Sequence, residues 1–353
     1  GWQDMEAGLP LREDAIFRIY SMTKPIATTA LMILYEEGRL ALNDPVAKYI
    51  PGFKNLKVWS GAPGSNAMSL EPLQRDATCL DLALHTAGLG YGLFTNSPVE
   101  DFYRASGMFE PNKMVYTVPL AEAIRRILEL PLANQPGQRW RYSVSIDVIG
   151  HLVEIISGCP FDVFLNERIF EPLGMVDTAF YVPPEKLSRL TTMYTLTSGG
   201  TIASLDRPAD SPFTDPRAMP SGGGGLVSTT NDYLRFLQMM LNGGALDGAR
   251  ILGPRTVAKM ARNHLQPALL PMLMSEGPWW GMGFGPGFGV VLDAGQANVP
   301  CSNGTFSWGG AASTNMFIDP CEQIVAVLMT QVLNNTTPFQ DYFNQIVYSA
   351  VVE

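Results

Sequence analysis

Residues 19–34 read IYSMTKPIATTALMIL, a polar knot of Ser21, Thr23, Lys24 and Pro25 opening onto a run of small and apolar residues. Proline belongs in the first turn of a helix, where its missing N–H leaves no bond unmade, so the spacing predicts a helix beginning at or just after Ser21. Ile26, Ala30, Ile33 and Leu34 share one face of it, while Ala27, Leu31 and Met32 lie elsewhere. A helix apolar nearly all round belongs in an interior, and Gly38 is a natural stop for it. Residues three apart share a helix face, so Ser21 and Lys24 project together from the first turn. A serine hydroxyl is a poor nucleophile unless a base lies within reach, and lysine is such a base only where its ammonium is desolvated or crowded by positive charge. The apolar run supplies a dry setting. A capping serine beside an exposed lysine is the structural alternative, which spacing alone leaves open.

Around this helix the chain has 353 residues, 46% hydrophobic and 16% charged, enough for one large domain or two packed ones with a sizeable core. The net charge is −9, and the basic clusters, Arg125-Arg126 and Arg139/Arg141, are too short to track a phosphate backbone, which argues against a nucleic-acid partner. No apolar stretch approaches the ~18–20 residues that span a bilayer, and no charged segment followed by an apolar one opens the chain. The chain therefore reads as soluble with no membrane partner, and as cytoplasmic unless a signal peptide precedes residue 1. Cys79, Cys159, Cys301 and Cys321 show no C-x-x-C spacing, so neither a zinc ribbon nor a redox motif is indicated. Free thiols are expected, although Cys301 and Cys321 flank a predicted hairpin and could meet at one sheet edge.

Helical patterns cover 76–84, 120–128, 146–156, 160–170 and 231–241, the last behind the cap candidates Ser228 and Thr229. After residue 282 the pattern changes to strands: GFGVVLDAG (287–295), GTFSWGG (304–310), TNMFIDP (314–320) and QIVAVLMT (323–330), followed by an apolar helix over 339–351. The expected architecture is α/β: an antiparallel sheet flanked by helices, built from 1–60 and 278–353, with a mainly helical domain at 61–277 and a cleft between them.

Two further stretches carry possible chemistry. In GQRWRYSVSIDVIGHLVEII (137–156), Tyr142 stands just before an amphipathic helix, and a phenol beside an ammonium can relay protons. In FSWGGAASTNMFIDP (306–320), Trp308-Gly309-Gly310 ends a strand, and paired glycines there mark close approach by a backbone or ligand. A carbonyl docked on that strand would receive the N–H of Ala311, with the N–H of Ser21 as second donor. Ring packing for Tyr142 and a simple bulge for the glycines are the structural readings.

Three elements in this order resemble the serine β-lactamase and penicillin-binding protein superfamily, in particular its class C β-lactamase-like branch and, within that, the family VIII carboxylesterases. The likeness runs through SMTK (21–24), HTAGL (85–89), YSV (142–144), GGGGLVSTTNDYLRF (222–236) and WGG (308–310). It implies a β-lactamase/transpeptidase-like fold in which Ser21 is acylated, Lys24 is its hydrogen-bonded partner, Tyr142 is the general base, and the N–H groups of Ser21 and Ala311 form the oxyanion hole. It also implies that a helix and a strand ahead of GWQDMEAG are missing. Penicillin-recognising relatives carry Lys-Thr-Gly where this chain has Trp308-Gly309-Gly310, and Tyr-Ala-Asn or Tyr-Ser-Asn where it has Tyr142-Ser143-Val144. The cation for a drug carboxylate and the amide beside it are both replaced, so Trp308, Gly309, Gly310 and Val144 are expected to line an apolar site suited to neutral esters.

The expectation is a serine carboxylesterase acting on short-chain or small aromatic esters through an acyl-enzyme, with weak β-lactam hydrolysis allowed and no metal or organic cofactor. A β-lactamase, a D-amino-acid peptidase or an acyltransferase on the same fold is the alternative, and oligomeric state is left open. No G-x-S-x-G elbow occurs, so a serine–histidine–acid triad has no nucleophile to use. His85 reads as a hydrogen-bonding packing residue and His151 as core. The SGGGGL run lacks a phosphate-loop lysine and reads as flexible backbone feeding the following cap. Trp279, Trp280, Phe284 and Phe288 fit either a cleft wall or ordinary core.

Overall fold

A computed structural model describes residues 1–61, 69–93, 97–107, 116–274 and 277–352. Four helices organise it: α1 (Thr23–Glu36), α2 (Ser145–Ser157), α3 (Thr230–Leu241) and α4 (Phe339–Ser349). Twelve consecutive residues of α1, Thr23 to Leu34, are buried, as a helix apolar on every face requires. α1 packs along α2, and α3 lies across the sheet described next. The side chain of Thr229 caps α3 by accepting the Asp232 N–H at 3.2 Å. Ser228 does not cap; its hydroxyl pairs with that of Thr178 at 2.8 Å.

The sheet is a five-stranded antiparallel meander, β1 (Met282–Gly285), β2 (Phe288–Val291), β3 (Phe306–Gly309), β4 (Asn315–Asp319) and β5 (Ile324–Leu328), in sequence order. Alternation along β4 sends Met316 and Ile318 into the main core. Its other face turns Phe317 onto α4, where it stacks on Tyr348 at 5.1 Å. The main core runs continuously from α1 through α2 and α3 to this sheet. A smaller cluster, including Ile16, Tyr20, Phe213 and Ala312, lies beneath the strand that leads to Ser21.

The α/β architecture agrees with the sequence pattern, with local departures. The 160–170 helix is broken into Phe161–Leu165, a π-turn at Asn166–Phe170 and Glu171–Leu173. The helix expected over 76–84 is only Cys79–Ala83, because the Thr78–Asp81 capping box starts it late. Within the mainly helical stretch, Met193–Leu196 and Ile202–Asp206 form a hairpin that Val332–Leu333 joins in parallel. The turn signal Ser198-Gly199-Gly200 was present in the sequence. All four cysteines are free, so the Cys301–Cys321 pairing is not made. No single helix among the described residues is long and apolar enough to cross a membrane.

Candidate active site

Strand Phe17–Arg18 pairs with Val227–Ser228, and Tyr20, at φ +42°, then turns the chain into a short 3-10 turn, Tyr20–Met22, ahead of α1. Positive φ at a bulky residue is strained, and it sets Ser21 on the tip of the turn, partly open to solvent. Lys24, one turn on, is 1% exposed. Its Nζ donates to Ser21 Oγ at 3.0 Å and to the Gly223 carbonyl at 2.5 Å, and lies 3.4 Å from the Tyr91 hydroxyl. The ammonium also sits 4.5 Å from the ring centre of Tyr142 and 5.3 Å from that of Tyr91. Tyr142 completes the group by donating to Ser21 Oγ at 2.6 Å. Ser21 Oγ is thus held by two donors, one of them buried and cationic.

Tyr142 is held from beneath by His85. The His85 carbonyl accepts the Arg141 N–H at 2.8 Å, and its Nδ1 accepts the Ser143 N–H at 3.2 Å, so one residue brackets Tyr142 on both sides. An Nδ1 that accepts leaves the proton on Nε2 and fixes the tautomer. The imidazole lies 4.9 Å from the Tyr142 ring; its burial, and then the Lys24 charge, hold it well below the usual 6.5. The packing role read for His85 is therefore also a positional one. Glu100, fully buried, accepts the N–H groups of Tyr91 and Gly92 at 3.2 and 2.6 Å and pairs with Arg141 at 3.0 Å. That carboxylate ties the Tyr91 loop to the Tyr142 segment, and the two phenol rings stack 5.5 Å apart at 8°. Burial, with Tyr142 and Asp147 nearby, pushes the Tyr91 hydroxyl well above its ordinary range.

The glycine strand meets this cluster end on. A Cβ on Gly310 would lie 2.5 Å from the Ile19 carbonyl and collide with Thr314 Oγ1. Close backbone approach, read from the paired glycines, is what the residue permits. The end of β3 therefore lies against the turn that bears Ser21, with Ala311 exposed just beyond it. Trp308 is 6% exposed, wedged against Tyr142, Trp279 and Phe284 with ring centres 5.2–5.8 Å apart. Trp280 is 57% exposed, whereas Phe288 is core. Val144 departs from expectation: it is fully buried, its N–H on the Gly90 carbonyl at 3.1 Å, because it starts α2 inside the core. A side chain with no open surface does not line a substrate pocket in this conformation.

The glycine run after Ser221 is not slack backbone. Ser221 Oγ and the Gly223 N–H both donate to Asp147 Oδ1, at 2.5 and 3.1 Å, and the Gly223 carbonyl seats Lys24. Asp147 is 2% exposed; burial pushes its carboxyl up from the ordinary 3.8, opposed by Ser221, the Lys24 charge and Gly223. Sequence reasoning missed Tyr91, Glu100, Asp147 and the Gly223 carbonyl. An acid at the head of an apolar helix was the available signal for Asp147, whereas a carbonyl acceptor leaves none. Among the described residues no group of three His, Cys, Asp or Glu side chains could hold a metal ion. His151 is partly buried against Glu154.

The beta-lactamase family model matches residues 1–348. The protein Rv1367c of Mycobacterium tuberculosis is 36% identical over 336 residues, which cover 94% of this chain and 81% of its own. Esterase EstB of Burkholderia gladioli is 33% identical over 345 residues, again 94% of this chain and 81% of its own. Among solved structures, EstCE1, described as a hydrolase with promiscuous acyltransferase activity, matches with a TM-score of 0.81 and 29% identity, covering 98% of this chain and 87% of its own.

Proposed function

The chain belongs to the beta-lactamase family, and from that premise we propose that it is a serine carboxylesterase of the family VIII kind, hydrolysing short-chain or small aromatic esters through an acyl-enzyme on Ser21. The likeness to Esterase EstB and EstCE1 supports esterase chemistry. The observation that carries the residue assignment is a single hydroxyl, Ser21 Oγ, held at 2.6 Å by Tyr142 and at 3.0 Å by the buried Lys24.

In this reading the Tyr142–Lys24 pair first gives one proton to solvent; Ser21 Oγ then bonds to the ester carbonyl carbon while its own proton passes to that pair and the carbonyl π electrons move to oxygen. The N–H groups of Ser21 and Ala311 stabilise that oxyanion. Collapse breaks the bond to the alkoxy oxygen, which leaves with the proton as alcohol. Water then repeats the sequence at the acyl carbon and releases the acid. The substrate enters the cleft between the sheet unit, 1–60 and 278–353, and the helical unit, 61–277. Trp308, Gly309 and Gly310 line the acyl or alcohol pocket. With indole in place of a cation, a neutral ester fits better than a carboxylate-bearing β-lactam. Transfer of the acyl group to an alcohol would use the same intermediate, and EstCE1 is described as doing both.

The test is parallel rate measurement on 4-nitrophenyl butyrate and a chromogenic cephalosporin, with mass spectrometry after a fluorophosphonate probe. The ester is expected to turn over far faster, the probe to add once at Ser21, and Ser21→Ala to lower ester turnover by about 10⁴-fold or more. Faster cephalosporin hydrolysis overturns the substrate class; unchanged ester turnover in Ser21→Ala overturns the site.

A further inference from the structure

Among the described residues Lys24 forms no ion pair, its bonds going to Ser21, Tyr91 and the Gly223 carbonyl, yet a buried carboxylate lies one residue behind that carbonyl. Gly223 is held from both ends: its N–H donates to Asp147 Oδ1 at 3.1 Å, and its carbonyl accepts Lys24 Nζ at 2.5 Å. A Cβ at position 223 would lie 2.5 Å from Asp147 Oδ2, so glycine is what lets this backbone rest on the carboxylate. Ser221 adds a second hold at 2.5 Å on the same oxygen. Asp147 is 2% exposed, and among the described residues no lysine or arginine forms an ion pair with it. A buried carboxylate spent only on fastening a loop is an expensive fastener, since an uncharged acceptor would hold the same two donors without the desolvation of an ion.

We propose that Asp147 is a positioning residue of the hydrolysis: its carboxylate fixes the Gly223 carbonyl as the seat of Lys24 and supplies the buried negative charge facing that ammonium. The carboxylate leaves the ammonium's contact shell to neutral acceptors. A carboxylate bonded directly to Nζ would draw the ammonium away from Ser21; one set behind a peptide balances the charge and leaves an N–H aimed at Ser21 Oγ. The four-glycine run is then part of the reaction machinery, since it carries the carbonyl that connects the two charges. This inference rests on the reading of Ser21 and Lys24 as catalytic.

The experiment is a double-mutant cycle on the full chain with 4-nitrophenyl butyrate, reading kcat, KM and melting temperature. Asp147→Asn keeps the shape and an acceptor oxygen while removing the charge. It is expected to lower kcat about 10- to 100-fold, with KM within about twofold and the melting temperature held or raised. Ser221→Ala, which removes one bond and leaves the charge, is expected to lower kcat only a few fold. In a Lys24→Met background, Asp147→Asn is expected to have no further effect on kcat, because residues acting as one unit are not additive. Wild-type kcat in Asp147→Asn overturns the proposal, and so does a full additional loss in the Lys24→Met background. If Asp147→Asn does not fold, Ser221→Ala decides: a lowered kcat at unchanged KM and melting temperature supports the role, and unchanged kcat overturns it. An unaltered rate in Lys24→Met or Ser21→Ala alone would instead overturn the underlying assignment.

Discussion

Arg18 and Lys24 are buried cations six residues apart, 0% and 1% exposed, on either side of the strained Tyr20, and they are treated in opposite ways. Arg18 is saturated. Its Nε lies 2.8 Å from Asp206 Oδ2, an ion pair whose angle falls short of a hydrogen bond. Its other nitrogens donate to the Thr191 carbonyl at 2.7 Å, Gln331 Oε1 at 3.3 Å and Ser211 Oγ at 2.9 Å. Among the described residues Lys24 meets only neutral oxygens and two ring faces, with Asp147 set one residue back. Removing an ion from water costs several kcal/mol in either case. A contacting carboxylate offsets it for Arg18 and makes a fastener. For Lys24 the offset comes from many weaker partners, which leaves its charge acting on Ser21 and Tyr142.

The comparison breaks most visibly under truncation to methionine, which keeps volume and removes charge. Lys24→Met is expected to reduce kcat/KM on 4-nitrophenyl butyrate by about 10³-fold or more while the melting temperature stays level or rises, the usual exchange of activity for stability where a buried charge is lost. Arg18→Met is expected to do the reverse. It strands Asp206 and Gln331 and lowers urea-unfolding stability by about 3–5 kcal/mol, with kcat per folded molecule within about twofold of wild type. A large stability loss in the lysine variant, or a large catalytic loss in the arginine variant at full folding, would erase the distinction.

The sequence made Lys24 legible and left Arg18 silent, for a physical reason. Ser21 and Lys24 are local, three residues apart on a helix whose burial shows in its own apolar pattern. Tyr142 and the glycine strand were legible as motifs with known order. The partners of Arg18 come from residues 191, 206, 211 and 331, and pairings over such separations leave no periodic trace. The same limit hid Glu100, which holds Tyr91 and Arg141 from different loops, and the Gly223 carbonyl, which is backbone. The meander after residue 282 was readable because its short, largely apolar strands are separated by turns that each carry a glycine or proline. The Met193–Leu196 hairpin leaves little trace because its strands are only four and five residues long and the second, Ile202–Asp206, is partly exposed along its length with a weak apolar pattern.

A smaller effect separates the site's two backbones. The end of β3 touches the Ser21 turn only because Gly310 has no side chain, a Cβ there lying 2.5 Å from the Ile19 carbonyl. Gly310→Ala is expected to push the strand from the turn and lower kcat about 10- to 100-fold, as displacements near 1 Å do at reacting centres. The stability loss, read by thermal melting, should stay near about 1–2 kcal/mol, as for other overpacked contacts. Equal loss of kcat and folded protein would make Gly310 a packing residue alone.

The finest test uses His85 as a gauge of the Lys24 charge. Burial is the first cause that holds its imidazole well below 6.5, and Lys24 is the second. With the folded-state value depressed, the unfolded chain binds the extra proton between that value and about 6.5. Stability is therefore complete above that pH and declines as the pH falls, by at most about 1.4 kcal/mol per unit for one group. His264 is also lowered by burial and tilts the curve the same way, so the informative quantity is a difference between variants. His85→Asn suits the purpose, since asparagine tolerates the +56° φ at this position and offers an oxygen to the Ser143 N–H. Urea-unfolding stability measured from pH 6.5 to 5 is expected to fall less steeply in His85→Asn than in wild type. The window over which His85 contributes should also narrow in Lys24→Met, because only burial then opposes protonation. Identical curves for wild type and Lys24→Met would mean that the ammonium's charge is cancelled before it reaches the imidazole, and Lys24 would then resemble Arg18 after all.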